Sequence, residues 1–353
     1  MATPFEMVEA AGRAVKVSNP GKTFFPRAGV SKLDLVHYYL AVADGVLNGC
    51  CGRPTSLYRW PNGVDSPDDA FFQKRVPSAR PEWLRTHVVS FPSGRTADML
   101  VVADAAHLVW MLNLGCIDVN PWPVRAPLSP PPPCASRASS PSADGDHPDE
   151  LRVDLDPTPG IPFEDVRRVA PVVRDVLREH GLEGWPKTSG KRGMHVYVRI
   201  EPRWDFTEVR RAALALAREV ERRMPGVATT KWWKEERRGV FVDYNQNARD
   251  RTIASAYSVR PVADARVSCP LAWDEVPDVE PAELTVATVP ARVARDGDPW
   301  RGMDDASAGI ESLLELARRD EREGLGDAPW PPHFPKARGE PPRAAPSRRR
   351  DLR

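Results

Sequence analysis

The sequence predicts a mixed α/β (α+β) protein, and three observations carry that prediction. The run Met194-His195-Val196-Tyr197-Val198-Arg199-Ile200 alternates with the period of two that a strand requires. Val166, Val169, Val173, Val176 and Leu177 recur with the period of a helix buried on one face. The two kinds of run interleave along the 353 residues, which argues against an all-helical or an all-strand architecture.

In chain order, residues 31–47 read as one helix. Ser31 and Asp34 form a capping box, and Leu35, Val36, Tyr39, Leu40, Ala43 and Leu47 keep helical spacing. Val88-Val89 and the apolar residues 99–102 read as strands, and 105–114 as a buried helix. From 126 to 150 the composition turns to Pro, Ser and Asp, which predicts an exposed loop between two halves. Residues 151–157 resume as a strand with Leu151, Val153 and Leu155 on one face and Arg152, Asp154 and Asp156 on the other. A helix over 163–180 stops at Gly181, and 194–200 is the alternating strand. Thr207 is placed to cap a helix ending at Pro225-Gly226. Residues 240–243 and 252–258 read as strands, and 310–319 as a short helix. Grouped, this predicts one unit over 1–300 (first half 13–124, loop 126–150, second half 151–300), a helix within 301–329, and a disordered basic tail over 330–353.

Fifty basic and 49 acidic residues leave a net charge of +1, so only local clustering could signal a nucleic-acid partner. The five cysteines show no C-x-x-C spacing, which speaks against a zinc ribbon or a disulfide framework and predicts reduced thiols. The N-terminus has no basic-then-apolar leader. Asp98, Asp104 and His107 interrupt or border the most apolar stretch, so no membrane span is expected. These features predict a soluble, cytoplasmic protein.

Three constellations carry chemistry. Asp154 and Asp156 put two carboxylates on one strand face, half of a divalent-metal site. In Ser189-Gly190-Lys191-Arg192-Gly193-Met194-His195, two glycines allow backbone amides to turn toward an anion, and Ser189, Lys191 and Arg192 add donors and charge. Asp243 ends an apolar strand beside Gln246 and Asn247, a third carboxylate next to amides suited to a sugar or base. Taken singly, each has an ordinary reading as a solvated strand face or a turn. Taken in order, they supply acidic ligands for a metal pair and an electrostatic clamp for a phosphoryl group.

The ordered set resembles the motifs of the archaeo-eukaryotic primase superfamily, and most of all the polymerase domain of bacterial DNA ligase D. The segments Arg59-Trp60-Pro61-Asn62-Gly63-Val64-Asp65, Phe71-Phe72-Gln73-Lys74 and Tyr257-Ser258-Val259-Arg260 extend the likeness, which runs from about residue 13 to residue 300. The resemblance implies a primase-like catalytic sheet, mixed or antiparallel and flanked by helices, joined to an N-terminal α/β half. It implies template-dependent primer extension at broken or gapped DNA in non-homologous end joining. Asp154, Asp156 and Asp243 would hold two Mn²⁺ or Mg²⁺ ions. Ser189, Lys191, Arg192, His195, Gln246, Asn247 and Arg260 would contact an incoming NTP or dNTP. Lys22 and Lys32 would grip a 5′-phosphate at a recessed DNA end, Phe72 would stack on a base, and Lys74 and Arg237 would contact DNA. The implied partners include Ku and a separate DNA ligase, and the implied location is the bacterial nucleoid.

The chain departs from the family pattern in three places. Asn120 stands before Pro121-Trp122 where members commonly carry histidine; the segment 231–239 is longer than usual; and no K-x-D-G ligase motif occurs. Two other readings stay open on the sequence: a DNA-end binding module with weakened chemistry, and a primase that starts chains without a primer.

Overall fold

The computed structural model describes residues 3–135, 144–331, 334 and 336. Two larger sheets organise them. In the first half, Phe71–Gln73, Pro54–Arg59, Thr96–Val101 and Thr86–Ser90 lie side by side in that order, and Asn120–Pro121 pairs with Pro54–Arg59. In the second half the order is Trp185–Thr188, Met194–Arg199, Glu150–Pro157, Val240–Asp243, Ala228–Thr229. Every pair there is antiparallel except the last, so the sheet is mixed, as expected.

The helices Phe163–Glu179 and Phe206–Arg223 pack against this second sheet and against each other. Val166, Val169, Val173, Val176 and Leu177 are all buried, so the predicted apolar stripe is the packed face. Most buried apolar side chains of both halves join in one cluster, and Val89, Ala97, Met99, Trp122, Val124 and Phe206 form a smaller second one.

Several boundaries differ from expectation. The predicted 31–47 helix is two helices, Lys32–Ala41 and Ala43–Cys50, broken at Val42. The break lets the second helix lie directly on residues 255–257, where a Cβ on Gly45 or Gly49 would collide with Tyr257 or Ser255. Asp205, not Thr207, caps the next long helix, because Asp205 and Glu208 exchange side-chain bonds to each other's backbone N–H. The strand predicted over 252–258 shrinks to Ser258–Val259, since Tyr257 adopts a left-handed φ of 59° that interrupts extended backbone.

The predicted loop is tied down over its described part. Ala126 N–H donates to the Gly52 carbonyl, and Cys134 forms a disulfide with Cys51, 83 residues away. This corrects the expectation of reduced thiols for that pair: spacing rules read local motifs and cannot see a partner brought in by the fold. Cys50, Cys116 and Cys269 are free and buried. The tail over 337–353 lies outside the described residues.

A buried ionic network joins the halves. Arg53 and Arg125 both bond Asp149; Arg125 and Arg199 both bond Asp304; Arg199 and Arg152 both bond Glu150. Burial alone would raise the Asp149 carboxyl, but Arg53 and Arg125 hold it well below the usual range.

Candidate active site

The site is built on strand register. Asp154 is the register partner of both His195 on one side and Asp243 on the other, and His195 in turn is opposite Lys187. Directly opposed residues present their side chains to the same sheet face. Asp156, two residues on from Asp154, shares that face and is exposed. Like charges directly opposite on a sheet are destabilising, and Asp154 with Asp243 is such a pair. Burial, then the charges of Asp243 and Asp156, push the Asp154 carboxyl well above its ordinary range. The Gln246 side-chain amide donates to both, 3.3 Å from Asp154 Oδ2 and 3.1 Å from Asp243 Oδ2.

This donor set fits a hard divalent cation: three carboxylates on one face that repel one another until a positive charge is supplied. Among the described residues no three acidic, His or Cys side chains already converge on a common metal position. The Gln246 amide bonds two of the carboxylates, and Asp154, Asp156 and Asp243 are the residues that would hold a divalent cation here.

Opposite the carboxylates lies the loop Ser189–Gly193. Ser189 Oγ accepts from the N–H of Lys191 and of Gly193, and Ser189 N–H donates to the Gly193 carbonyl, closing a tight turn. Both glycines are required. Gly190 has φ +66° with Arg260 and Val267–Ser268 packed where a Cβ would go, and a Cβ on Gly193 would strike the Leu155 carbonyl. Lys191 and Arg192 project outward from the loop. Arg260 approaches from the strand Ser258–Val259 and lies 3.4 Å from Asp118 Oδ2.

Between the carboxylates and the loop lies a cleft of about 360 Å³, and Asp243 stands behind its wall rather than among the residues that line it. Its walls bring together Asp154, Asp156, Ser189, Lys191, Arg192, His195, Gln246 and Arg260, all expected at the site from the sequence. At its mouth Phe72 stacks flat on Tyr58, with ring centroids 4.1 Å apart and planes within 4°. Phe72 is 57% exposed, which leaves its outer face free. Asn120 is also in the wall, with its amide donating to buried Asp118. The position where the family commonly carries histidine therefore still faces the cleft.

Other expected residues lie elsewhere. Asn247 is buried, with its amide donating to the Arg152 and Tyr244 carbonyls and accepting from Arg152 N–H, so it pins the central strand rather than facing the cleft. Lys74 pairs with Asp250 and lies over Phe91. Arg237 sits 3.4 Å over the Phe241 ring and donates to the Lys231 and Trp232 carbonyls, within Coulombic reach of Asp243 and Asp156. Lys22 bonds the Pro61 carbonyl and Asn62, while Lys32 is buried with its ammonium on the Ser18 and Asn113 carbonyls. Burial, then Lys22 and Arg59, lower the Lys32 pKa, which places three cations in one neighbourhood.

Sequence reasoning missed Lys187, Tyr58 and Asp118. Lys187 carried a signal, as a lysine two residues ahead of the Ser189 loop. Tyr58 and Asp118 carried none, because only the fold brings them to the cleft.

The family model described as LigD, primase-polymerase domain, matches residues 31–300. The multifunctional non-homologous end joining DNA repair protein LigD of Mycobacterium tuberculosis is 33% identical over 321 residues, covering 89% of this chain and 40% of its own length. The corresponding protein of Pseudomonas aeruginosa is 29% identical, covering 88% of this chain and 35% of its own length. The chain thus spans about two-fifths of the length of the curated relatives it matches. Among solved structures, the polymerase domain from Mycobacterium tuberculosis ligase D in complex with DNA superposes with a TM-score of 0.74 at 32% identity, covering 82% of this chain and 98% of that one.

Proposed function

Because the chain belongs to the LigD primase-polymerase domain family, we propose that it is a nucleotidyltransferase that extends a primer strand, directed by template, at broken or gapped DNA. The observation that carries this reading is the opposition of Asp154 and Asp243 on one sheet face, with Asp154 and Asp156 in the wall of a cleft that the Ser189–Gly193 loop and Arg260 also line. Two divalent ions, Mn²⁺ or Mg²⁺, held by Asp154, Asp156 and Asp243, would supply Lewis acidity toward the primer 3′-hydroxyl and the phosphates.

The chain's own groups bind and orient. The Ser189 hydroxyl, the loop amides and the Lys191 and Arg192 charges would hold the triphosphate of an incoming NTP or dNTP. Arg260 would neutralise charge that builds on the phosphates as the bond to the leaving pyrophosphate lengthens. The outer face of Phe72 offers a platform for a base, and the Lys22–Lys32–Arg59 cluster is a seat for a terminal 5′-phosphate. Ku and a DNA ligase activity are the partners this role requires.

The test is primer extension on gapped, 5′-phosphorylated DNA with Mn²⁺ and single nucleotides, beside the Asp154→Asn variant. Extension by the unaltered protein alone supports the reading. Equal extension by both would overturn it. Tight binding to the gap without extension would favour an end-binding module.

A further inference from the structure

The helix Glu311–Arg322 lies past residue 300, where the match to the family model ends, and it packs along Phe206–Arg223. The chain after it runs back over Phe206–Arg223, with Arg218 donating to the Leu325 and Gly326 carbonyls. It then meets Arg210. Nη1 of Arg210 lies 2.8 Å from Asp327 Oδ1, and Nη2 lies 3.1 Å from the Ala328 carbonyl and 2.9 Å from that of Pro329. The Trp330 ring centroid is 4.1 Å from the guanidinium carbon. The Arg210 side chain is only 1% exposed. A guanidinium leaves water at a cost that bonded and charged neighbours must offset, and the segment 324–330 supplies most of them.

The remaining donor points to the catalytic sheet. Nε of Arg210 lies 3.1 Å from Asn245 Oδ1. Arginine donates and never accepts, so the Asn245 atom that faces it is the oxygen, and arginine keeps its charge throughout. Asn245 is buried in the turn Tyr244–Asn247, whose Tyr244 ring stands 5.2 Å from the same guanidinium. That turn serves the carboxylates. The Asn245 N–H donates to Asp243 Oδ1 over 2.8 Å, and the next residue, Gln246, bonds both Asp154 and Asp243. Arg218 shows the plainer use of an arginine on this helix: its described partners, Asp320, Leu325 and Gly326, all belong to the C-terminal segment. Arg210 alone of the two also holds the turn.

We propose that Arg210 is a positioning residue, seated by the segment 324–330, that fixes the turn presenting Asp243 and Gln246. The line of contacts runs Asp327, Arg210, Asn245, Asp243. Loosening the segment removes the acceptors that hold the guanidinium fork, and the Asn245 oxygen and N–H lose their fixed places beside it. The consequence for metal binding rests on the nucleotidyl-transfer reading of the site; the bracing of the turn does not.

The experiment uses the full chain with Asp327→Ala and, separately, Trp330→Leu. Asp327 is exposed and Trp330 half-buried, so both variants leave the packed core intact. Hydrogen exchange read by mass spectrometry on the peptide spanning 243–248 is expected to quicken about fivefold, the value of one hydrogen bond, with the helix Phe163–Glu179 unchanged. Titration calorimetry with Mn²⁺ alone should show affinity about tenfold weaker, the usual loss when a group supporting a metal ligand is removed. Arg210→Lys keeps the charge without the fork and should show the same two changes. Adding Asp327→Ala to it should cost little more, because both act through one guanidinium.

Unchanged exchange at 243–248 in both segment variants would overturn the proposal. So would exchange that rises equally in the helix Phe163–Glu179, which marks general loosening, or unaltered Mn²⁺ affinity beside a loosened turn. Additive losses in the double variant would make the two residues independent and overturn it as well. Failure of the unaltered protein to bind Mn²⁺ would count against the function proposed above, and exchange at the turn would still decide the bracing.

Discussion

Asp154 and Asp243 stand directly opposite each other on adjacent antiparallel strands, bridged by the amide of Gln246. A protein under selection for stability alone would not place two carboxylates there. Asp154→Asn is expected to remove most catalysis, at least about a hundredfold in extension rate. The same change relieves repulsion in the metal-free protein. Its melting temperature without divalent ions should rise, by about 2 °C per kcal/mol gained for a chain of this size. Calorimetry in chelator and a primer-extension assay read the two effects separately, and a fall in both would contradict the assignment.

Phe72 is exposed and, among the described residues, stacks on Tyr58. Phe72→Ala should leave the melting temperature within about 1 °C, because little buried area is lost. Affinity for gapped DNA should fall about tenfold, the value of one base stacked on an aromatic ring. Fluorescence anisotropy with a labelled gap measures it.

Lys22 and Lys32 separate binding from folding. Lys32→Ala removes the donor to the Ser18 and Asn113 carbonyls and is expected to cost about 1–3 kcal/mol of stability. Lys22→Ala should leave stability nearly unchanged and reduce the preference for a 5′-phosphorylated over a 5′-hydroxyl gap. A competition gel shift between the two DNAs, with thermal melts of each variant, tests the division.

Gly190→Ala forces a side chain into left-handed backbone and against Arg260. Nucleotide affinity should drop about tenfold through strain and displacement of that guanidinium. Titration calorimetry with a non-hydrolysable triphosphate and Mn²⁺ is the measurement.

Asp104 gives a pH dependence away from the cleft. Burial works to raise its carboxyl, but bonds from His107 and Arg13 outweigh it and hold the pKa at about 2, against 3.8 ordinarily. A depressed carboxylate pKa contributes stability above the unfolded value, and that contribution is lost as pH falls toward the folded one. Melting temperature should therefore decline through the window from about pH 4 to about pH 2. Asp104→Asn should be less stable at neutral pH and show a flatter profile across that window.

Much of the fold and the heart of the site were legible because they obey local periodicity. The alternation at 151–157 and 194–200 placed Asp154 and His195 on the same sheet face, and the two glycines around Lys191-Arg192 marked the tight turn that lines the cleft. What stayed hidden depends on contacts far apart in the chain. The Cys51–Cys134 pair, the reach of Lys187 to His195 and the stack of Tyr58 on Phe72 follow from packing, not spacing. Asn247 looked like a cleft residue by adjacency to Gln246. In a tight 3₁₀ turn neighbouring side chains diverge, and its amide turns to the backbone of the central strand.

The arginines that meet Asp149, Glu150 and Asp304 come from both sides of the long loop. Pulling the halves apart would strand buried guanidinium and carboxylate groups without counter-charges, a penalty of about 3–5 kcal/mol for each broken pair. Neither half is therefore a portable module: grafting the catalytic sheet onto another scaffold means carrying Arg53 and Arg125 along with it.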